Sequence, residues 1–92
     1  MYIDLIAWDD EDDPGGNVQH IAAAELTPAE VEDVLRNHRG GPDDYSDSSR
    51  NPIIFGTTST GKRIAVVYID VSDDRYIIIY PVTAYCVPEY GG

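Results

Sequence analysis

Four residues of this 92-residue chain have the types needed to act on a phosphodiester. His20 could serve as a general acid or base, because imidazole changes its charge near neutral pH. Arg50, Lys62 and Arg63 could bind a phosphate and stabilise the charge that develops on it. His20, Arg50, Lys62 and Arg63 are therefore the candidate catalytic residues, and the sequence predicts no cofactor and no metal.

Each of these residues also has an ordinary structural interpretation. A lone histidine on a helix can pack beside an aromatic ring such as Trp8 or bond to the backbone, and this is the more frequent case. Lys62 and Arg63 can flank a hairpin turn as solvated charges. Three strand tyrosines could stack on a base, but tyrosine is common in strands for packing alone: Tyr68, Tyr80 and Tyr85.

The charge of the chain limits its partners. Seventeen Asp and Glu face six Lys and Arg, which gives a formal net charge of −11, and most of the acids precede residue 51. Affinity for nucleic acids comes largely from cations that displace counterions, so we expect any RNA binding to be weak. High acidity can serve solubility alone. Otherwise it predicts a basic protein partner or mimicry of nucleic-acid charge.

The acidic run Asp9–Asp13 could attract a divalent cation, but it lacks the spaced ligands and central glycine of a calcium loop. A solvated loop is the better interpretation, because like charges repel and Pro14 follows directly. Cys86 is the single cysteine, which excludes an intramolecular disulfide and a cysteine-rich zinc site. The sequence therefore predicts no metal site.

Two helices are predicted in the first half of the chain. Asn17 can cap a short helix that runs to about Ala24. Thr27-Pro28-Ala29-Glu30 is a stronger signal, because it combines a capping threonine, proline at the first helical position and the glutamate of a capping box. This second helix should run to about Asn37 and bury a stripe formed by Val31, Val34 and Leu35.

Four strands complete the prediction: residues 2–8, 53–58, 62–71 and 75–82. Residues 62–71 are apolar on both faces, which is typical of a central strand. Pro81 suggests an edge strand or a strand end. The expected fold is α+β, in the order β-α-α-β-β-β, with an antiparallel sheet and two helices packed on one face.

The length predicts one domain, which we place at residues 1–88, followed by a flexible tail at 89–92. The first residues lack the basic segment of a secretory signal, and the apolar runs are too short to span a membrane. We therefore expect a cytoplasmic protein without a membrane partner.

Several short motifs occur in an order that resembles one known family, the BrnT-type toxins of bacterial toxin–antitoxin pairs. Trp8-Asp9 looks like the family's opening strand end, and Asn17-Val18-Gln19-His20 is similar to its N-x-x-K-H segment. The start of the family's second helix resembles residues 27–32. Its hairpin resembles residues 56–58 with 61–63, and the strand that follows resembles residues 66–68.

The resemblance implies a RelE/ParE-like fold, ribonuclease activity and a small DNA-binding antitoxin that covers the toxin. One departure matters, because residues 80–88 contain no arginine where the family has an Arg-rich segment. Two hypotheses follow. The chain is a BrnT-like component of a toxin–antitoxin or related stress module with ribonuclease activity, or it is a non-catalytic acidic interaction protein with the same fold.

Overall fold

The computed structural model describes residues 2–88 and has an α+β architecture with two helices and five strands in one mixed sheet. The predicted tail at 89–92 lies outside the described residues. The strand order is β1-β5-β4-β3-β2. The elements in chain order are β1 (Leu5–Ile6), α1 (Asn17–Ala22), α2 (Pro28–Asn37), β2 (Asp44–Tyr45), β3 (Pro52–Thr57), β4 (Arg63–Asp70) and β5 (Ile78–Cys86).

The start of α2 confirms the capping prediction. Thr27 Oγ1 accepts a hydrogen bond from the Glu30 backbone N–H at 3.3 Å, and Glu30 Oε1 accepts one from the Thr27 N–H at 3.1 Å. The predicted stripe of Val31, Val34 and Leu35 is buried. α1 begins at Asn17 but ends at Ala22, and Asn17 is not its cap: Gly16 holds that position, and the Asn17 side chain is used elsewhere.

Both helices pack on the same face of the sheet, as predicted. The main hydrophobic core joins helix residues to every second residue of the strands. A separate, smaller cluster on the other face contains Ile53, Ala65 and Val67 and draws on strands alone. β4 is the middle strand of the sheet, as its two apolar faces predicted.

The prediction of an entirely antiparallel sheet is wrong. β1 lies parallel to β5, with Leu5 beside Ile78 and Ile6 beside Ile79. The two helices between β1 and the later strands supply the long crossover that a parallel pair needs. The paired part of the first strand is also shorter than residues 2–8, and the sheet gains β2, which pairs only with Pro52 and Ile53.

The last strand is displaced from its predicted position at 75–82. Its start is delayed because Asp73 Oδ1 accepts hydrogen bonds from the Arg75 and Tyr76 N–H groups and so forms a turn. The strand continues past Pro81 because a bulge accommodates the proline: Val67 pairs with Thr83 and Tyr68 with Pro81, so Val82 is extra.

Candidate functional site

The sheet face opposite the helices, here called the far face, is lined mainly by apolar side chains, some buried and some exposed. Side chains alternate between the two faces of the sheet along each strand. Ile6, Ile54, Val66 and Ile79 lie in the core under the helices, so the strand residues next to them point to the far face. The main apolar side chains of the far face are Leu5, Ile53, Phe55, Ala65, Val67, Ile69, Ile78 and Tyr85.

One end of the far face forms a small second core. Ile53, Ala65 and Val67 are buried there, and Phe55 and Val87 pack against them. Towards β1 the same face is open: Leu5 is 53% exposed and Ile69 is 39% exposed. Large apolar side chains exposed together on one sheet face mark an interaction surface more often than side chains scattered singly.

A groove of about 580 Å³ lies on the far face, between the loop that follows β2 and the end of β5. We call it the loop groove. Its floor includes Ile53, Phe55 and Val67, and Tyr85, 43% exposed, stands at its side. Its polar rim comes from β2 and the loop that follows it: Asp44, Ser46, Asp47, Ser48, Ser49 and Asn51. A second cleft of about 330 Å³ lies near β1 and is lined by Asp4, Leu5, Tyr76 and Ile78.

Asp43, which directly precedes β2, is hydrogen-bonded to the edge of β3. Its Oδ2 accepts hydrogen bonds from the Phe55 N–H and, when that ring nitrogen carries the proton, from His38 Nε2, both at 2.9 Å. The Phe55 bond is the main reason that the pKa of Asp43 lies below its usual range, and His38 and Arg63 lower it further. Asp43 therefore stays ionised beside the apolar surface.

The predicted catalytic residues lie in separate places. His20 is exposed on α1, and its Nδ1 lies 3.4 Å from the Val82 carbonyl oxygen. This contact is the backbone bond of the ordinary structural interpretation. The charge of His20 makes only the smallest contribution to the lowered pKa of Asp9, after the hydrogen bonds from Tyr80 and Asn17.

Lys62 is engaged in an ion pair on the helix side of the sheet. Its ammonium donates to the Glu25 carbonyl at 2.9 Å and lies 3.2 Å from Glu30 Oε2. Glu30 also accepts a hydrogen bond from the Thr60 hydroxyl at 2.8 Å, and this bond, with help from Lys62, lowers its pKa. Lys62 therefore holds the β3–β4 turn against α2, a role that uses its charge within the protein.

The two arginines lie apart from Lys62. Arg63 follows Lys62 directly and so points to the far face, where it lines a cleft with Phe55, Val87 and Pro88. Arg50 is exposed in the loop with a φ of 62° and lines a cleft with Tyr45, Ser46 and Asp47. The four residues predicted to act together thus occupy α1, the helix side of the sheet, the far face and the loop.

Asn17 is a structural anchor that the sequence did not reveal. It is 1% exposed, and its Nδ2 donates to the Ala7 and Pro81 carbonyls at 3.0 and 2.9 Å. Its Oδ1 accepts from the Asp9 N–H at 2.8 Å. The Tyr80 hydroxyl in turn donates to Asp9 Oδ2 at 2.5 Å. This network fixes α1 and the acidic loop to β5.

Acidification should weaken this anchor through Asp9. The Tyr80 hydroxyl first, and then the Asn17 N–H, lower the pKa of Asp9. A carboxyl whose pKa is lower in the folded state stabilises the protein while it is ionised, above the unfolded value of about 4, and this contribution is lost as the pH falls through the folded pKa. Asp9→Asn should therefore destabilise the protein at neutral pH and do so less and less on acidification.

The measurement is the free energy of unfolding of wild type and Asp9→Asn from neutral pH down to about pH 3. Asp12→Asn is the matched control, because it removes an exposed carboxylate from the same loop and should stay within about 0.5 kcal/mol of wild type. A deficit for Asp9→Asn that is the same at every pH would show that Asp9 does not stabilise the fold through its charge.

Residues 2–88 contain no group of three or more His, Cys, Asp or Glu that could hold a metal ion. Over the same described range, no helix is long and apolar enough to cross a membrane. No protein-family model, curated protein or solved structure matches the chain. The resemblance to BrnT toxins therefore stays a prediction from the sequence motifs.

Proposed function

We propose that this chain is an acidic interaction protein that binds a basic polypeptide on the far face of its sheet. The observation that carries the proposal is the set of apolar side chains exposed opposite the helices, chiefly Leu5 and Ile69 towards β1 and Tyr85 at the loop groove. In a two-layer α+β domain, the second face of an antiparallel sheet usually presents polar residues to water. An apolar second face is what a docking surface requires.

Charge supports a basic partner. The rim of the far face includes Asp44 and Asp47 near the loop and Asp4 at the cleft near β1. The whole chain carries −11, which disfavours pairing with a second copy and draws a basic chain to it at long range. If the resemblance to BrnT holds, the antitoxin of the pair would be this partner.

The proposal is tested by affinity purification from the protein's own cells with a matched set of tagged variants. Leu5→Lys with Ile69→Lys places two positive charges on the open part of the far face. Ala22→Lys places one on the exposed end of α1, on the helix side. Wild type and Ala22→Lys should retain the same basic protein, and the double variant should lose it, because apolar contacts are replaced by repulsion.

The double variant must first unfold at a midpoint near that of wild type, so that lost binding is not lost folding. The proposal fails if no basic protein depends on the far face, or if Ala22→Lys loses the captured protein equally.

A second candidate is the ribonuclease activity that the sequence motifs imply. It is favoured by the exposure of the His20 side chain, whose Nδ1 lies 3.4 Å from the Val82 carbonyl oxygen on β5. Such a histidine could exchange a proton with an RNA hydroxyl. Lys62 is paired with Glu30, and Arg63 lies on the far face. Neither residue therefore supplies a positive charge beside His20.

Expression from a tightly controlled promoter tests this second candidate. If the protein cuts RNA, His20→Ala should lower the rate by about 10²–10⁴ and relieve growth arrest, because the acid–base group is lost. Arg36→Ala is a control that removes a positive charge from α2. Intact RNA and normal growth with wild type would exclude the activity, and arrest that persists in folded His20→Ala would exclude the role of His20.

A further inference from the structure

We propose that the loop groove receives an arginine side chain of the basic partner and is the anchor of the interface. This inference rests on the proposed function and specifies its contact. The groove combines two features that a guanidinium can use together: aromatic rings and carboxylates. Its volume of about 580 Å³ is within the range of pockets that enclose a ligand, roughly 300–1,000 Å³, so a side chain and part of its backbone can enter.

Aromatic side chains line the groove on its floor and its sides. Phe55 lies on the floor, and Tyr85 lines the side formed by β5. Tyr45 lines both this groove and the neighbouring cleft and is 57% exposed. A guanidinium plane stacks on aromatic faces, and such contacts gain strength when water is excluded.

Carboxylates stand on the loop side of the same groove. Asp44 pairs with Ile53 across the β2–β3 ladder, so its side chain points to the far face with that of Ile53. Its Oδ1 accepts the Tyr45 N–H at 2.7 Å, which orients the carboxylate. Asp47 is the second acid that lines the groove. A carboxylate can take a guanidinium through two parallel hydrogen bonds, which an ammonium cannot match.

The chain's own Arg63 is an arginine placed beside an aromatic ring on this face. It lies in the adjoining cleft with Phe55 and Val87, and its charge lowers the pKa of Asp43. Arg63 thus combines an aromatic neighbour on the far face with a carboxylate, Asp43, at the edge of β3. The loop groove repeats this combination with Tyr85 and Asp44 and leaves it open to solvent.

Three short synthetic peptides test the anchor, each with valine alternating with one other residue: arginine, lysine or citrulline. Citrulline has nearly the shape of arginine and no charge. Binding is followed by the chemical shifts of isotope-labelled protein at physiological salt. The arginine peptide should bind about tenfold tighter than the citrulline peptide, and tighter than the lysine peptide, with shifts centred on Thr83, Tyr85 and the loop.

Two groove variants and two controls complete the test. Asp44→Asn and Tyr85→Leu should each weaken the arginine peptide about tenfold and leave the citrulline peptide little changed. Asp12→Asn and Tyr2→Leu remove the same groups from exposed sites elsewhere and should have no effect. Thermal unfolding checks that all four variants fold.

Equal binding of arginine and citrulline peptides would overturn the arginine anchor, and so would shifts that fall outside the groove. Neither result would overturn the docking of a basic partner, because the purification with Leu5→Lys and Ile69→Lys tests that proposal independently. The two proposals can therefore fail separately. Loss of arginine selectivity in Asp44→Asn alone, with Tyr85→Leu unchanged, would overturn the stacking contribution.

Discussion

Asn17→Ala should destabilise the domain by roughly 3 kcal/mol, which for a domain of this size corresponds to a melting temperature lower by roughly 12–24 °C. The side chain is buried and makes three hydrogen bonds to backbone groups, at Ala7, Pro81 and Asp9. Removal of a buried polar side chain leaves its partners without a bond, at about 1–3 kcal/mol for each group that water cannot reach.

Asn37→Ala is the matched control. Asn37 also donates through its Nδ2, to the Asp33 carbonyl at 2.8 Å, but it is exposed at the end of α2. Its replacement should change the free energy of unfolding by no more than about 0.5 kcal/mol. Similar small effects for both asparagines would mean that α1 is not held to β5 through Asn17.

Gly56→Ala is the second substitution from which we expect a large effect. A Cβ at this position of β3 would lie 2.7 Å from Val34 Cγ1, and a branched side chain on a packed helix cannot move away freely. Overpacking of this kind costs about 1–3 kcal/mol. The loss would come from separation of α2 from the sheet, next to the region that supports the loop and Asp43.

A double-mutant cycle distinguishes this steric cause from others. Val34→Ala alone should destabilise by about 2 kcal/mol, because it opens a cavity in the core. Combined with Gly56→Ala, it makes room for the new methyl group, so the double variant should be more stable than the two single effects predict. Additive effects of the two substitutions would show that the close approach of α2 to β3 does not explain the need for glycine.

The sequence predicted those elements whose signals are local. Thr27, Pro28 and Glu30 lie within four residues, and the helix start that they define is correct. The central position of β4 followed from its own apolar residues. The direction of β1 could not be predicted from local signals. The parallel pairing of Leu5 with Ile78 depends on how the chain between the two strands crosses the sheet.

The anchor that holds α1 to β5 was harder to predict because its parts are distant in the chain. Asn17 bonds to Pro81 across 64 residues, and Tyr80 to Asp9 across 71. The two apolar faces of β4 and the packing of both helices on one face were predicted, but they did not show which apolar side chains of the far face are buried and which are exposed. Lys62 and Arg63, adjacent in sequence, were grouped although adjacent strand residues point to opposite faces.

The most direct test of the far face is the methyl spectrum of labelled protein during titration with the basic protein that co-purifies with it. Leu5, Ile69 and Ile78 report on the far face, and Ile21, Val31 and Leu35 on the helix side. We predict that binding shifts or broadens the methyl signals of Leu5, Ile69 and Ile78 and leaves the other three nearly unchanged. Changes confined to the helix-side methyl groups, or the lack of any basic protein that depends on the far face, would contradict the account.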